Sequence, residues 1–172
     1  MPQNVEIKAP LTDPDDLRRR VAPLATDGPH RISQHDTFYR CRDGRLKLRR
    51  FADGSGELIA YRRPDENGPR TSQYRLVPCP DPDALHAALE ESLGILGEVR
   101  KERTLWLVGR TRVHLDEVER LGCFVELEVV LDDGDPIEAG ESEAAQLMEA
   151  LGIDPSGLVP GAYLDLLLQR DI

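Results

Sequence analysis

Cysteine is scarce in this chain: three residues in 172, at Cys41, Cys79 and Cys123, with no CxxC spacing. A disulfide framework and a cysteine zinc knuckle are therefore not expected, and the thiols read as buried or incidental. No apolar run approaches the length of a membrane span. The N-terminus has no charged-then-apolar leader, so the cytoplasm is the expected location. Net positive charge is lacking as well. The formal charge is −10, which argues against generic binding to nucleic acid or to an anionic membrane. Repeats, low-complexity tracts and a convincing domain linker are also missing. Residues 1–172 are thus expected to form a single domain, long enough to bury a real core.

What is present is a globular composition, 40% hydrophobic and 31% charged, with the charges unevenly placed. Arg40, Arg42, Arg45, Lys47, Arg49, Arg50, Arg62, Arg63, Arg70 and Arg75 make one stretch basic, whereas from Glu126 onward Arg170 is the only cation. Gly and Pro clusters cut the chain into short segments, as in hairpins. Strands are expected over 4–10, 30–41, 45–51, 57–64, 71–77, 95–109, 111–118 and 123–133. A helix is expected from Thr12 or Asp13 as N-cap with Pro14 in its first turn. Others are expected over 81–94, with Asp81 or Asp83 near the cap and Gly94 as stop, and over 141–152. The apolar tail 157–169 reads as a short helix. About eight strands joined mostly by tight turns, with helices inserted, suggest an antiparallel α+β fold, plausibly a closed or nearly closed barrel.

Several strands carry polar rows at period two. Asn4, Glu6 and Lys8 share one face. So do Arg45, Lys47 and Arg49; Ile59, Tyr61 and Arg63; Val99, Lys101 and Arg103; Arg112, His114 and Asp116; Phe124, Glu126 and Glu128. One such row is how a one-sided sheet meets water. The coincidence of rows points further. If they converge, the interior holds many cations and a cluster of glutamates, and buried charges without partners are too costly to persist. A triphosphate with a divalent metal meets both needs. Arg and Lys grip phosphate oxygens, and Mg²⁺ or Mn²⁺ binds through a few carboxylates plus the phosphates. Glu6, Glu126 and Glu128 are the natural metal set.

These residues resemble the CYTH superfamily, the triphosphate tunnel metalloenzymes, and within it the class IV adenylyl cyclase-like branch. The N-terminal Glu-x-Glu-x-Lys signature stands here as Asn4-Val5-Glu6-Ile7-Lys8. Further matches are Lys47 and Arg49 in GRLKLR, Arg63 in LIAYRRP, Ser72 and Tyr74 in TSQY, and Lys101 and Arg103 in VRKER. Arg112, Asp116, Gly122, Glu126 and Glu128 match in RVHLDEVERLGCFVELE, and AYLDLL matches near the end. The resemblance implies an eight-stranded antiparallel tunnel. Lys8, Lys47, Arg49, Arg63, Lys101, Arg103 and Arg112 would bind the triphosphate. Glu6, Glu126 and Glu128 would hold Mg²⁺ or Mn²⁺ and so carry the catalysis. Asp116 would orient a nearby arginine or stand behind the metal ligands. His114, on the same strand face, is either a polar residue at the rim or a chemical participant. Asn4 departs from the signature, because an amide oxygen ligates a hard cation without bringing negative charge.

The resemblance implies a metal-dependent enzyme on a small-molecule triphosphate, most like a cyclase converting ATP to cAMP and pyrophosphate. Hydrolysis of tripolyphosphate, thiamine triphosphate or a nucleotide is the alternative reaction, and a non-catalytic triphosphate binder is the alternative class. No nucleic-acid or membrane partner is expected, and the chain is expected as a monomer or a homodimer.

Overall fold

The computed structural model describes residues 3–62 and 69–171. Eight strands run β1 (Gln3–Pro10), β2 (Asp27–Tyr39), β3 (Arg45–Phe51), β4 (Gly56–Arg62), β5 (Arg70–Cys79), β6 (Ile95–Val108), β7 (Thr111–Val118) and β8 (Gly122–Leu131). They close into an antiparallel barrel in the order β1-β5-β4-β3-β2-β6-β7-β8. Four helices lie around it: α1 (Pro14–Val21), α2 (Pro82–Leu93), α3 (Ile137–Leu151) and α4 (Tyr163–Arg170). The expected α+β barrel is the observed fold, and no described helix is long and apolar enough to cross a membrane.

Closure is made by the first and last strands. Glu6 lies opposite Glu128 and Lys8 opposite Glu126 in the β1–β8 ladder. β7 continues the register, setting His114 opposite Glu126 and Arg112 opposite Glu128. Because side chains alternate, the outward Val5, Ile7, Val113, Leu115, Val125 and Leu127 are each followed by an inward polar residue.

The outward row Ile7, Trp106, Val113, Leu115, Val125 and Leu127 packs against Leu17 and Val21 of α1 and Leu147 and Leu151 of α3. Asp13 caps α1 by accepting from the Asp16 N–H at 3.0 Å. Gly140 brings α3 close to the barrel: a Cβ there would lie 2.7 Å from Val5 Cγ2 and 2.9 Å from Leu131 Cδ2. A second apolar cluster lies inside the barrel, at one end. There Phe38, Tyr61, Val99, Val118 and Phe124 meet Tyr163, Leu164 and Leu167 of α4.

Most strand ends lie within one or two residues of the sequence expectations, β5 running on through Pro78 to Cys79, and three differences are larger. β2 begins at Asp27, earlier than residue 30. α3 begins at Ile137, earlier than 141, with Pro136 as an N-cap that offers no side-chain hydrogen bond. The tail is not one helix: a 3₁₀ turn covers Pro155–Gly157, and α4 starts only at Tyr163. Pro160 and Gly161, whose φ is +80°, break the helical path. Tertiary bonds hold the extended piece instead, with Val159 N–H donating to Lys8 O at 2.9 Å.

Candidate functional site

The inward rows meet in a cavity of about 320 Å³, within the size range of small-molecule sites. Asn4, Glu6, Lys8, Lys47, Arg49, Lys101, Arg103, Arg112, His114, Glu126 and Glu128 all line it. Asp116 stands just behind the wall, fully buried. Arg63 lies outside the described residues. The α4 end of the barrel is closed by Tyr163 and its apolar neighbours. At the opposite end the cavity wall includes Leu76, which is 42% exposed.

The cations are not left bare. Asp36 forks both Arg49 nitrogens, with Nε donating at 2.8 Å to Oδ1 and Nη2 at 2.8 Å to Oδ2, and it accepts from Lys47 Nζ at 3.0 Å. Asp116 forks Arg103 through two bonds of 2.7 Å. Arg112 Nε donates to Glu128 Oε2 at 2.8 Å. Glu126 Oε2 lies 3.9 Å from Lys8 Nζ and 3.8 Å from Arg103 Nη2. The tunnel therefore carries its own counter-anions. Neutralising buried cations, which from sequence pointed to a bound polyanion, is already met in large part by carboxylates of the chain.

The titrations follow from this pairing. Burial works to raise the Asp36 pKa, but Arg49 and Lys47 outweigh it and hold the carboxyl well below its ordinary range. Asp116 is depressed in the same way, burial being overcome by Arg103 and Lys101. Burial also opposes ionisation of Glu126 and Glu128, yet both are shifted down. Lys8 and Arg103 do this for Glu126, and His114 and Arg112 for Glu128. At neutral pH the Arg112 contact is the operative one for Glu128, because burial and Arg103 push His114 down to about 4 and leave its ring uncharged. Lys101 is pushed down to about 7 by burial and by Arg103.

Three side chains converge closely enough to share a metal ion. One ligand atom from each of His114, Glu126 and Glu128 lies within 4.8 Å of the others. Glu6, 7% exposed, lines the same cavity from across the ladder but is not part of this trio. The Asn4 amide satisfies its surroundings with its nitrogen toward Gln3 O at 3.0 Å and its oxygen toward Arg112 Nη2 at 3.1 Å. Two ionised carboxylates and a neutral imidazole are a fitting donor set for a divalent cation.

The sequence expectations gave no role to Asp36 or Tyr163. Asp36 had a legible signal, since Ile32, Gln34 and Asp36 form one more alternating row on β2. Tyr163 stood only inside the AYLDLL match, with no role attached, because it reaches the tunnel from a helix that follows the last strand. Its hydroxyl donates to Asp116 Oδ2 at 2.7 Å. Its ring lies 4.0 Å from Lys8 Nζ and 5.0 Å from Lys101 Nζ, within range of cation–π attraction. Lys8 Nζ also donates to Gly161 O at 3.1 Å. Toward the open end the wall turns partly apolar with Ile32, Leu105 and Leu76, and the buried Gln34 Oε1 there has no hydrogen-bond partner.

A family model of the CYTH domain matches residues 2–163. Solved structures share the fold at low identity. The PH1012 protein of Pyrococcus horikoshii is 20% identical over 95% of this chain and 98% of its own, with a TM-score of 0.84. A Vibrio parahaemolyticus protein described as a candidate adenylate cyclase is 18% identical, covering 95% and 97%, with a TM-score of 0.79. A Hippeastrum protein, HpAC1, described as having a dominant triphosphatase activity, is 16% identical, covering 94% and 91%, with a TM-score of 0.66. No curated protein matches the chain.

Proposed function

Since the chain belongs to the CYTH domain family, we propose that it is a metal-dependent enzyme acting on a small-molecule triphosphate bound inside the tunnel. The observation that carries this reading is the convergence, in one cavity, of Lys8, Lys47, Arg49, Lys101, Arg103 and Arg112 with the His114–Glu126–Glu128 trio. These six basic side chains share one cavity of about 320 Å³ with Glu6, Glu126 and Glu128.

The ion pairs indicate how binding proceeds. Glu126 and Glu128 occupy Lys8, Arg103 and Arg112. When the two glutamates serve a divalent cation, those three cations turn to phosphate oxygens, so the anionic partner is exchanged rather than lost. Metal and triphosphate binding are thereby coupled in free energy. Mg²⁺ or Mn²⁺, held by Glu126 and Glu128 with Glu6 alongside, would supply charge neutralisation at the phosphorus and a positioned nucleophile. Asp36 and Asp116 keep Arg49 and Arg103 in fixed forks, so their donors are aimed before substrate arrives. Neutral His114 neither repels the metal nor competes for the phosphates.

The leading reaction is the cyclase. In it the ribose 3′-oxygen of ATP bonds to the α-phosphorus, the bond to pyrophosphate breaks, and the 3′-hydroxyl proton is released. The apolar wall of Ile32, Leu105 and Leu76, with the unspent Gln34 carbonyl, favours it by offering a place for an organic group at the open end. Hydrolysis of a terminal phosphate is the second reading, favoured by the activity described for the structurally similar Hippeastrum protein. Purified protein with Mg²⁺ or Mn²⁺ and ATP yields cAMP and pyrophosphate under the first reading. Phosphate release from ATP, tripolyphosphate or thiamine triphosphate, without cAMP, establishes the second. Triphosphate binding without turnover of any of these removes the enzymatic reading.

A further inference from the structure

We propose that His114 is itself a ligand of the metal ion, completing with Glu126 and Glu128 a one-nitrogen, two-carboxylate site that selects Mn²⁺ over Mg²⁺. The inference rests on the metal-dependent reading above and goes beyond it, assigning a further ligand and a metal preference.

Four observations carry it. The first is position. His114 faces Glu126 directly across the β7–β8 ladder, and Glu128 follows on the same inward face, so the trio sits on two hydrogen-bonded strands with little freedom to drift apart. The second is the spacing itself, one ligand atom of each within 4.8 Å of the others, which a single ion spans with bonds of about 2.0–2.3 Å. The third is an unspent nitrogen. His114 is 2% exposed, lines the cavity, and its Nδ1 is buried with no hydrogen-bond partner. Buried polar groups are nearly always satisfied, and an exception asks for a ligand. The fourth is Asn4. Its oxygen is turned to Arg112, so the amide standing where the family signature has a carboxylate is directed at a cation, and the ion is left to draw its further donor from elsewhere in the wall.

The chemistry then sets the metal. Mg²⁺ wants an octahedron of oxygens and sheds water reluctantly. Imidazole suits transition ions, and Mn²⁺ accepts a mixed set of nitrogen and carboxylate oxygen. A purely structural role for His114, filling the wall between Leu105 and Glu126, leaves Nδ1 unexplained.

Pulsed EPR of the Mn²⁺-loaded full chain tests this without any turnover. The expected result is nitrogen modulation from one directly bound imidazole in the wild-type protein. His114→Gln should abolish it while Mn²⁺ still binds, about tenfold or more weaker, since even outer-shell partners cost that much. In titrations, wild type should hold Mn²⁺ at least tenfold more tightly than Mg²⁺, and His114→Gln should narrow that ratio. Bound Mn²⁺ without nitrogen modulation in the wild type overturns the proposal while leaving a carboxylate metal site intact. Modulation that survives His114→Gln overturns it too, because the nitrogen then belongs to another residue. Failure of the wild type to bind Mn²⁺, with or without tripolyphosphate, overturns both this assignment and the metal-dependent reading beneath it. The wild-type spectrum decides even where the variant folds poorly.

Discussion

Lys101 offers the sharpest test of the tunnel as a triphosphate site, because its charge is in play near neutral pH. Its ammonium is deep in the wall, and burial together with Arg103 pushes its pKa down to about 7. At about pH 8 roughly nine-tenths of the free protein therefore has a neutral Lys101. A triphosphate placed beside it restores the charge, so binding takes up a proton. The uptake should be close to half a proton at about pH 7 and about 0.9 at about pH 8. Affinity should then fall about fivefold between about pH 7 and 8, and about tenfold, or ~1.4 kcal/mol, for each pH unit beyond. Lys47, also lowered by burial and by Arg49, adds to the same trend. ATP with chelator present is the right ligand, since a phosphate monoester loses its last proton near pH ~6 and is silent above 7. Calorimetry in buffers of different ionisation enthalpy reads the proton count directly. In Lys101→Arg, whose charge cannot be lost, the proton uptake and most of the slope should vanish. Flat affinity between about pH 7 and 9 with no uptake in the wild type would refute the placement of Lys101 against the phosphates. The same shift has an opposite face in stability. The folded pKa lies below the unfolded 10.5, so the unfolded chain binds more protons between those values. Stability from this group accordingly rises with pH across about 7 to 10.5.

Other outcomes follow from the same geometry. Glu126→Gln should abolish turnover at saturating metal, and near-normal rates would remove Glu126 from the metal site. Lys47→Ala or Arg49→Ala should chiefly weaken triphosphate binding, through lost charge-assisted bonds of about 1.5–3 kcal/mol each; unchanged affinity would contradict their inward placement. Asp116→Asn leaves Arg103 buried and Tyr163 without its acceptor, and should lower stability by about 3–5 kcal/mol in urea unfolding. Acid should unfold the protein early. Asp36 and Asp116 have folded pKa values below the unfolded 3.8, and their stabilisation is lost as pH falls through that range. His114 at about 4 against 6.5 unfolded loses stability over that window in the same direction. Circular dichroism should show a monotonic decline below about pH 6.5, and a stability maximum near pH 4 would contradict it.

Much of the barrel was legible because turn residues and period-two rows are local signals. The row Arg112, His114, Asp116 needs only strand alternation to place three side chains on one face. What alternation leaves open is which face is inside, and it was the number of charged rows that decided it. Asp36 was readable by the same rule but sits in a segment with only one charged residue on its inward face, so it did not announce itself. The AYLDLL match marked the segment of Tyr163, but not what its side chain touches. Its contacts with Lys8, Lys101 and Asp116 depend on where α4 docks, and docking follows from Pro160, Gly161 and the Lys8 backbone acting together. The start of α3 was missed for a related reason, since Pro136 offers no side-chain cap and the first turn is held by packing of Gly140 against Val5 and Leu131.

The pairing of β1 with β8 has a consequence for how the molecule comes into being. Glu6 and Glu128 are ladder neighbours though more than a hundred residues separate them. Contacts of that separation form late, because the intervening chain must first surrender its freedom. Strands β2 to β5 and β6 to β8 pair with sequence neighbours as they appear, and β2–β6 and β1–β5 join these runs over about seventy residues, but the ring stays open until the eighth strand finds the first. A cation that bridged those strands would act as a clasp on the slowest seam. Refolding should then be faster, or unfolding slower, with metal present, so the ion that serves the chemistry would also guard the closure of the ring.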